Sequence, residues 1–361
     1  MDSSAVVAFI WQREAPVARV ARALLAPVAW AFGAVVARRN AGYDRAPAAS
    51  ATLPALSVGN LTVGGTGKTP FAAWCVQHLR SRGAHPSIVM RGVGDDEWRV
   101  HGVLNPGVSV INSPDRVAGI LVARTRGADC VVLDDAFQHR RAARVADVVL
   151  VSADSWTGAV RLLPAGPFRE PLASLRRAHV VVVTVKAATS ARIDDVVVAV
   201  RRAAPGVPIA VARLVPGRLH LALALTASPA GSQRPKRDLL SHGPEWLAAR
   251  EVSVVSAIGD PAAFETQLRG LGAALRKCWR FADHHTYSAA EATAIATDAS
   301  GSSGVICTLK DAVKLGPVWP REAPPLWYLS QSVVVDRGVE ALDQALARLL
   351  AARAATTLTA G

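Results

Sequence analysis

Residues Ser57 to Pro70, SVGNLTVGGTGKTP, limit the possible folds of this chain more than any other stretch. A short apolar run, Ala55 to Val58, leads into a glycine-rich turn, and the pattern predicts a helix starting near Lys68 and continuing from Pro70 to Leu79. Gly64, Gly65 and Gly67 permit backbone angles that a side chain forbids, so successive N–H groups can converge on an anion. The helix adds the positive end of its dipole. Lys68 is then placed to reach the β/γ-phosphates of a nucleotide, and the Thr69 hydroxyl to hold Mg²⁺. The expected nucleotide-binding set is Thr62, Gly64, Gly65, Thr66, Gly67, Lys68 and Thr69. Thr62 stands where the strict G-x-x-x-x-G-K-[ST] pattern has glycine. Only six of the 41 basic residues are lysine, so a chance GKT is rarer here than in a lysine-rich chain. The alternative use of the segment is a glycine-rich strand-to-helix turn with no ligand.

Beyond this turn, apolar β-branched runs alternate with helical stretches. Strands are expected at Ser87 to Met90, Val108 to Ile111, Cys130 to Leu133, Val148 to Ser152 and Val180 to Val185, with helices between most of them, such as Arg116 to Arg126. Several runs are apolar on both faces, as buried parallel strands are. The fold class is α/β, a P-loop NTPase-type doubly wound, mainly parallel sheet with a second, smaller α/β domain. From about Pro205 to Glu245 the pattern weakens into Pro, Gly and polar clusters, including GSQRPKR at Gly231 to Arg237. A second block then follows: strand Val252 to Ala257, helix Ala262 to Leu271, strands Val305 to Thr308 and Trp327 to Leu329, and helix Val339 to Ala352. The expected organisation is a helical segment at 1–45, a P-loop domain at 46–215, a linker at 216–245 and the second α/β domain at 246–361.

With 51% hydrophobic and 19% charged residues, the chain has the composition of a folded protein and not of a disordered one. Its net charge of +13 points to an anionic partner, whether nucleic acid, a phospholipid surface or a phosphorylated substrate. Cys75, Cys130, Cys278 and Cys307 form no C-x-x-C pair and read as buried thiols in a reducing compartment. Ala23 to Ala37 is an uncharged run of fifteen residues, short of the roughly 20 a spanning helix needs. Arg19, Arg22, Arg38 and Arg39 flank it, with Trp11 and Trp30 at headgroup level, which suits a helix lying in one leaflet. The alternative is a core helix kinked near Pro27.

Four further segments carry chemistry. Val131 to Arg140, VVLDDAFQHR, is an apolar strand ending in two carboxylates. Asp134 and Asp135 are therefore Mg²⁺ candidates, directly or through water; capping of the next turn is the other use of such a pair. Arg161 to Pro171, RLLPAGPFREP, is a rigid loop from which Arg169 and Glu170 are expected to project. An arginine held this way can stabilise charge on a transferring phosphoryl group. Phe281 to Tyr287 reads FADHHTY and Thr308 to Lys314 reads TLKDAVK. The paired histidines lack further ligands at metal spacing, so an acid/base or orienting role suits them better, with capping or packing as the alternative.

Taken together, these motifs resemble the tetraacyldisaccharide 4'-kinase family of lipid A biosynthesis. The P-loop at Val58 to Pro70, LDDAFQHR at Leu133 to Arg140, LPAGPFREP at Leu163 to Pro171, AIGDP at Ala257 to Pro261, DHHTY at Asp283 to Tyr287 and TLKDAVK at Thr308 to Lys314 occur in the family's order. The resemblance covers nearly the whole chain. It implies an ATP- and Mg²⁺-dependent transfer of the γ-phosphate to the 4'-hydroxyl of a tetraacylated glucosamine disaccharide 1-phosphate. It also implies work at the cytoplasmic face of the inner membrane of Gram-negative bacteria, with an N-terminal helix meeting the bilayer and a site in a cleft between two α/β domains. Carried over by position, Lys68 and Thr69 hold nucleotide and metal, Asp134 and Asp135 form the acidic pair, and Arg169 and Glu170 match the family's arginine–glutamate loop. Asp96 in VGDDEW, with Asp95 as alternate, matches the proposed base, and His284 the histidine that assists it.

Two departures stand out. Ala136 replaces a glycine usual in the DDGFQH-type motif. Arg91-Gly92 runs almost directly into Val93-Gly94-Asp95, where the family places a substantial insertion. The shortened segment motivates one alternative, a catalytically weakened lipid-binding homologue. The other is a P-loop ATPase switch bound to membrane or polyanion. Nucleic acid is not an expected partner, because the arginines are scattered and no nucleic-acid module is recognisable.

Overall fold

A thirty-residue helix, Pro16–Arg45 (α1), opens the fold in a computed structural model that describes residues 7, 9–11, 15–46, 48–49, 51–92, 96–225 and 241–358. Pro16 stands in its first turn, where a missing N–H costs nothing. The expected fifteen-residue run is only the middle of this helix, because the flanking Ala- and Arg-rich residues also favour helix. Pro27 lies within it, yet α1 is assigned as one element. Only Ala18, Arg22, Ala29 and Val36 are buried, so α1 is no core helix. By length and composition alone it is long and apolar enough to cross a membrane.

The chain gathers into two compact units, one made of Met1–Val93, Leu104–Leu214 and Val333–Gly361, the other of Gly94–Val103 and Val215–Ser332. In chain order the elements are β1 (Ala55–Asn60), α2 (Lys68–Ser81), β2 (Pro86–Met90), α3 (Glu97–Leu104), β3 (Val110–Asn112), α4 (Arg116–Thr125), β4 (Cys130–Asp134), β5 (Ala146–Ser152), β6 (Val180–Val185), α5 (Ser190–Ala203) and β7 (Ile209–Leu221). In the first unit the strands run β7-β6-β5-β1-β4-β2-β3, all parallel. β1 lies centrally, with Leu56 opposite Val132 of β4 and Ala146 of β5. β1, β4, β5 and β6 are buried along their whole length, which is why their sequences are continuous apolar runs and not alternating ones.

The second unit adds β8 (Ser241–His242), which pairs with Leu219 and His220 of β7, then β9 (Glu251–Ser256), α6 (Pro261–Gly270), β10 (Ala274–Arg280), α7 (Ala289–Asp298), β11 (Val305–Thr308), α8 (Leu309–Leu315) and β12 (Leu326–Arg337). Its parallel order is β10-β9-β11-β12. The closing helix α9 (Val339–Leu358) returns to the first unit and buries Leu342, Ala345, Leu346 and Leu349 in the core of Leu56, Val58 and Val148.

Several boundaries differ from expectation. β3 begins at Val110 instead of Val108, and β12 runs to Arg337 instead of ending at Leu329. β10 and α7 have no counterpart in the sequence reading. Residues 216–221, expected in a linker, are the end of β7. The GSQRPKR tract and Asp95 lie outside the described residues.

Candidate active site

The glycine-rich turn joins β1 to α2 in the first unit, and its backbone explains its sequence. Gly67 sits at φ 84° as the N-cap of α2, and no side chain caps the helix. A Cβ on Gly67 would also stand 2.4 Å from Leu214 Cδ1. Around Gly64 and Gly65 the space is open, with nothing within 4 Å of a built Cβ. An uncapped helix start beside an open, glycine-lined turn fits an anion.

The turn is tied down from two sides. Thr66 turns inward: its hydroxyl accepts from Asn60 Nδ2 at 2.9 Å and its carbonyl from Thr184 Oγ1 at 2.9 Å. The proline-rich loop runs alongside it. Thr62 forms an antiparallel bridge with Phe168, the Val63 N–H donates to the Pro167 carbonyl at 2.8 Å, and the Arg169 N–H to the Leu61 carbonyl at 2.7 Å.

That registration brings Arg169 to the acidic pair. β4 ends at buried Asp134, and Asp135 follows at φ +49°, a left-handed conformation that aspartate tolerates. Asp135 accepts from Arg169 at 2.8 and 3.2 Å and stands 3.8 Å from Lys68 Nζ. Burial alone would raise the Asp135 carboxyl, but Lys68, the hydrogen-bonded Arg169 and Arg116 outweigh it and hold the carboxyl below its usual range. Arg169 also reaches Asn60 Oδ1, and Gln138 Nε2 donates to the Asn60 carbonyl at 2.8 Å. Buried Arg116 donates to the Ser113 carbonyl at 2.8 Å and to the Asp134 carbonyl at 3.4 Å; burial lowers its guanidinium pKa. Thr69, half-buried, is the second residue of α2. Thr69, Asp134 and Asp135 offer only hard oxygen donors, the set Mg²⁺ accepts while keeping most of its waters.

Glu170 does not join this cluster. Contrary to the expectation that it projects, its side chain is wholly buried, with Arg177 at 2.6 Å, Arg39 at 3.5 Å and Asn40 at 3.3 Å. Two of these partners lie on α1, so Glu170 ties the loop to the N-terminal helix.

Asp96 and His284 belong to the second unit and meet there, although 188 positions separate them. His284 Nδ1 lies 3.2 and 3.3 Å from the two Asp96 oxygens. The Asp96 side chain is 3% exposed and that of His284 40%. His284 stands at φ +63°, and its N–H donates to Asp283 Oδ1 at 3.0 Å. Below it, Tyr287 donates to buried Asp311 at 2.9 Å, and burial raises the pKa of both groups. His285 leaves this pair and bonds Glu291 at 3.1 Å.

The sequence reading assigned no role to Asn60, which links the P-loop to Arg169, to Arg116, or to Lys314, whose ammonium lies 3.8 Å from Asp96. Asn60, a polar residue ending an apolar strand, was the visible signal.

A parallel α/β unit with a P-loop whose lysine and following arginine loop converge on a strand-end carboxylate defines a P-loop phosphotransferase. A family model described as tetraacyldisaccharide-1-P 4'-kinase matches residues 21–105 and 93–351, and the chain belongs to that family. The two matched stretches overlap at the shortened segment. Among its relatives, the tetraacyldisaccharide 4'-kinase of Anaeromyxobacter dehalogenans is 35% identical over 376 residues, covering 94% of both chains. That of Halorhodospira halophila is 35% identical over 327 residues, covering 84% of this chain and 86% of the relative. The crystal structure of the Aquifex aeolicus LpxK protein, solved in complex with ATP, superposes with a TM-score of 0.68 at 26% identity and covers 91% of this chain and 99% of its own. Membership makes this chain a kinase, and the reading as a polyanion-bound switch is not favoured.

Proposed function

We propose that this kinase transfers the γ-phosphoryl group of ATP to the 4'-hydroxyl of a tetraacylated glucosamine disaccharide 1-phosphate. One contact carries the assignment above all: the Asp96 carboxylate, nearly shut off from water, facing the exposed His284 imidazole at 3.2 Å. As the acceptor oxygen bonds to the γ-phosphorus and the bond to the ADP oxygen breaks, the hydroxyl proton passes to Asp96. His284 orients that carboxylate. Gly64, Gly65, Gly67, Thr62, Thr66 and Lys68 cradle the phosphates, while Arg169 balances charge on the group in flight. Glu170 acts at one remove, by fixing the loop that carries Arg169. Thr69, Asp134 and Asp135 would hold Mg²⁺, which draws negative charge off the phosphates when bound.

An amphiphilic anionic acceptor also suits α1. A cavity of about 480 Å³ lies between α1 and the proline-rich loop, with Arg19, Arg22 and Arg161 beside Ala26, Leu162 and Ala165. We place the enzyme as a peripheral protein on the cytoplasmic face of the inner membrane, bound through α1.

The test is transfer of radiolabelled γ-phosphate from ATP to tetraacyldisaccharide 1-phosphate in detergent micelles. Asp96→Asn should lose about 10²- to 10⁴-fold in kcat, the usual weight of a general base, while retaining ATP binding. No labelled lipid from the parent protein, with ATP binding intact, would instead favour a lipid-binding homologue.

A further inference from the structure

The Asp96–His284 pair has a third member that no motif role explains. Lys314 Nζ is 3.8 Å from Asp96 Oδ2, and the two side chains are 10% and 3% exposed. The ammonium is buried and makes no hydrogen bond among the described residues. It lies 5.7 Å from the centre of the Tyr287 ring. Every group involved belongs to the same compact unit.

We infer that Lys314 is a positioning residue for phosphoryl transfer: its fixed positive charge pairs with the Asp96 carboxylate and keeps it oriented toward the acceptor. This rests on the assignment of Asp96 as base. Other charges face Asp96 less usefully. On its own element, Glu97 is taken up by Lys310 at 3.9 Å, and Arg99 donates to the Val313 carbonyl at 3.5 Å. From the histidine loop, Asp283 stands 3.9 Å from His284 Nε2, and the buried Asp311 of α8 is taken up by Tyr287 and the Ala257 N–H. Among the described residues, Lys314 is the one permanent cation paired with Asp96. With little water to screen it, attraction at this distance is strong.

The lysine is also held. Thr308 caps α8 by accepting from the Asp311 N–H at 3.3 Å and donates its hydroxyl to Asp311 Oδ2 at 2.6 Å. Asp311 Oδ1 accepts from Tyr287 at 2.9 Å and from the Ala257 N–H at 3.0 Å. Lys314 follows one turn later, so α8 and the histidine loop share a frame that sets the ammonium against Asp96. A 3.8 Å contact without a hydrogen bond supplies charge and leaves both Asp96 oxygens for His284 and the incoming hydroxyl.

The test is phosphoryl-transfer kinetics for the full chain, with Lys314→Met, Lys314→Arg, Asp96→Asn and the Lys314→Met/Asp96→Asn double variant. Lys314→Met should cut kcat on the order of 10- to 100-fold, as outer partners of reactive groups do at metal sites, with KM for ATP within about twofold, since the substitution changes none of the P-loop residues. Lys314→Arg should recover most of the loss. In the Asp96→Asn background, Lys314→Met should cost nothing further, because its effect runs through the missing carboxylate. An unchanged kcat in Lys314→Met, or an equal loss in both backgrounds, overturns the inference. Full activity in Asp96→Asn would instead remove Asp96 as the base. If Lys314→Met fails to fold, Lys314→Gln is compared with Lys314→Arg, and equal rates in those two overturn the role of charge.

Discussion

Lys68 and Arg169 both meet the Asp135 carboxylate, and their division of labour follows from their chemistry. Arg169 engages Asp135 with two nitrogens and so fixes its orientation, whereas Lys68 approaches only to 3.8 Å, as a mobile point charge. When phosphates enter the turn, the lysine can follow them while the arginine keeps Asp135 in place. Lys68→Ala is therefore expected to slow phosphoryl transfer by about 10²-fold, the scale of losing one preorganised charge-stabilising donor, and to weaken nucleotide binding. Calorimetric titration with ATP alongside turnover measurements checks both effects. Parent-like values in both would remove the P-loop assignment.

At the scale of elements, the α6–β10 pair shows a contact that stabilises one unit without touching chemistry. Glu265 of α6 is 3% exposed and takes Arg280 of β10 at 2.7 and 2.8 Å, with Arg269 at 3.6 Å. The Arg280 hydrogen bonds hold the Glu265 carboxyl below its usual value of 4.5, against the opposing pull of burial. A depressed folded value means that the contribution is present above about 4.5 and is lost as pH falls through the folded value. Glu265→Gln should thus cost about 1 kcal/mol near pH 7, and the gap from the parent should shrink below pH 4.5. Denaturant unfolding at the two pH values reads the difference; a gap independent of pH would deny the linkage.

The same pair shows why parts of the fold were hidden in the sequence. β10, ALRKCWR, has no fully buried residue and none of the apolar continuity that exposed β4, β5 and β6 to view. β7 has no counterpart among the expected strands, because Pro205, Gly206, Pro208, Pro216 and Gly217 give its stretch the look of a loop; yet a Cβ on Gly217 would meet Ser330 Oγ at 2.5 Å, so glycine serves a close strand approach. α7 did carry a signal, the Ser288–Glu291 capping box, and it went unread. The site was more legible than the fold around it. The P-loop and the acidic pair are local patterns, whereas the meeting of Asp96, His284 and Lys314 depends on tertiary contacts that no spacing reveals.

For the molecule as a whole, the remaining question is how a chain of net charge +13 meets an acceptor with four acyl chains. α1 offers both halves of an answer. Val17, Val20, Leu24 and Val28, spaced three and four apart, leave an apolar stripe exposed, and Ala18, Arg22, Ala29 and Val36 form the face turned inward. Arg19, Arg38 and Arg39 stand at its flanks, which suits a helix lying among anionic headgroups. Leu24 and Val28 are 75% and 56% exposed, so Leu24→Asp/Val28→Asp removes insertion without disturbing the core. Each buried apolar side chain is worth about 1.5–3 kcal/mol, so losing two should lower vesicle affinity at least tenfold, roughly 1.4 kcal/mol. In flotation with anionic phospholipid vesicles, the parent should rise with the lipid and the double variant should stay below. Raising salt to about 1 M, where screening acts within about 3 Å, should weaken the parent only in part, because the apolar stripe does not depend on charge. A double variant that floats like the parent would place the anchor outside α1. Complete release of the parent by salt would make its attachment purely electrostatic.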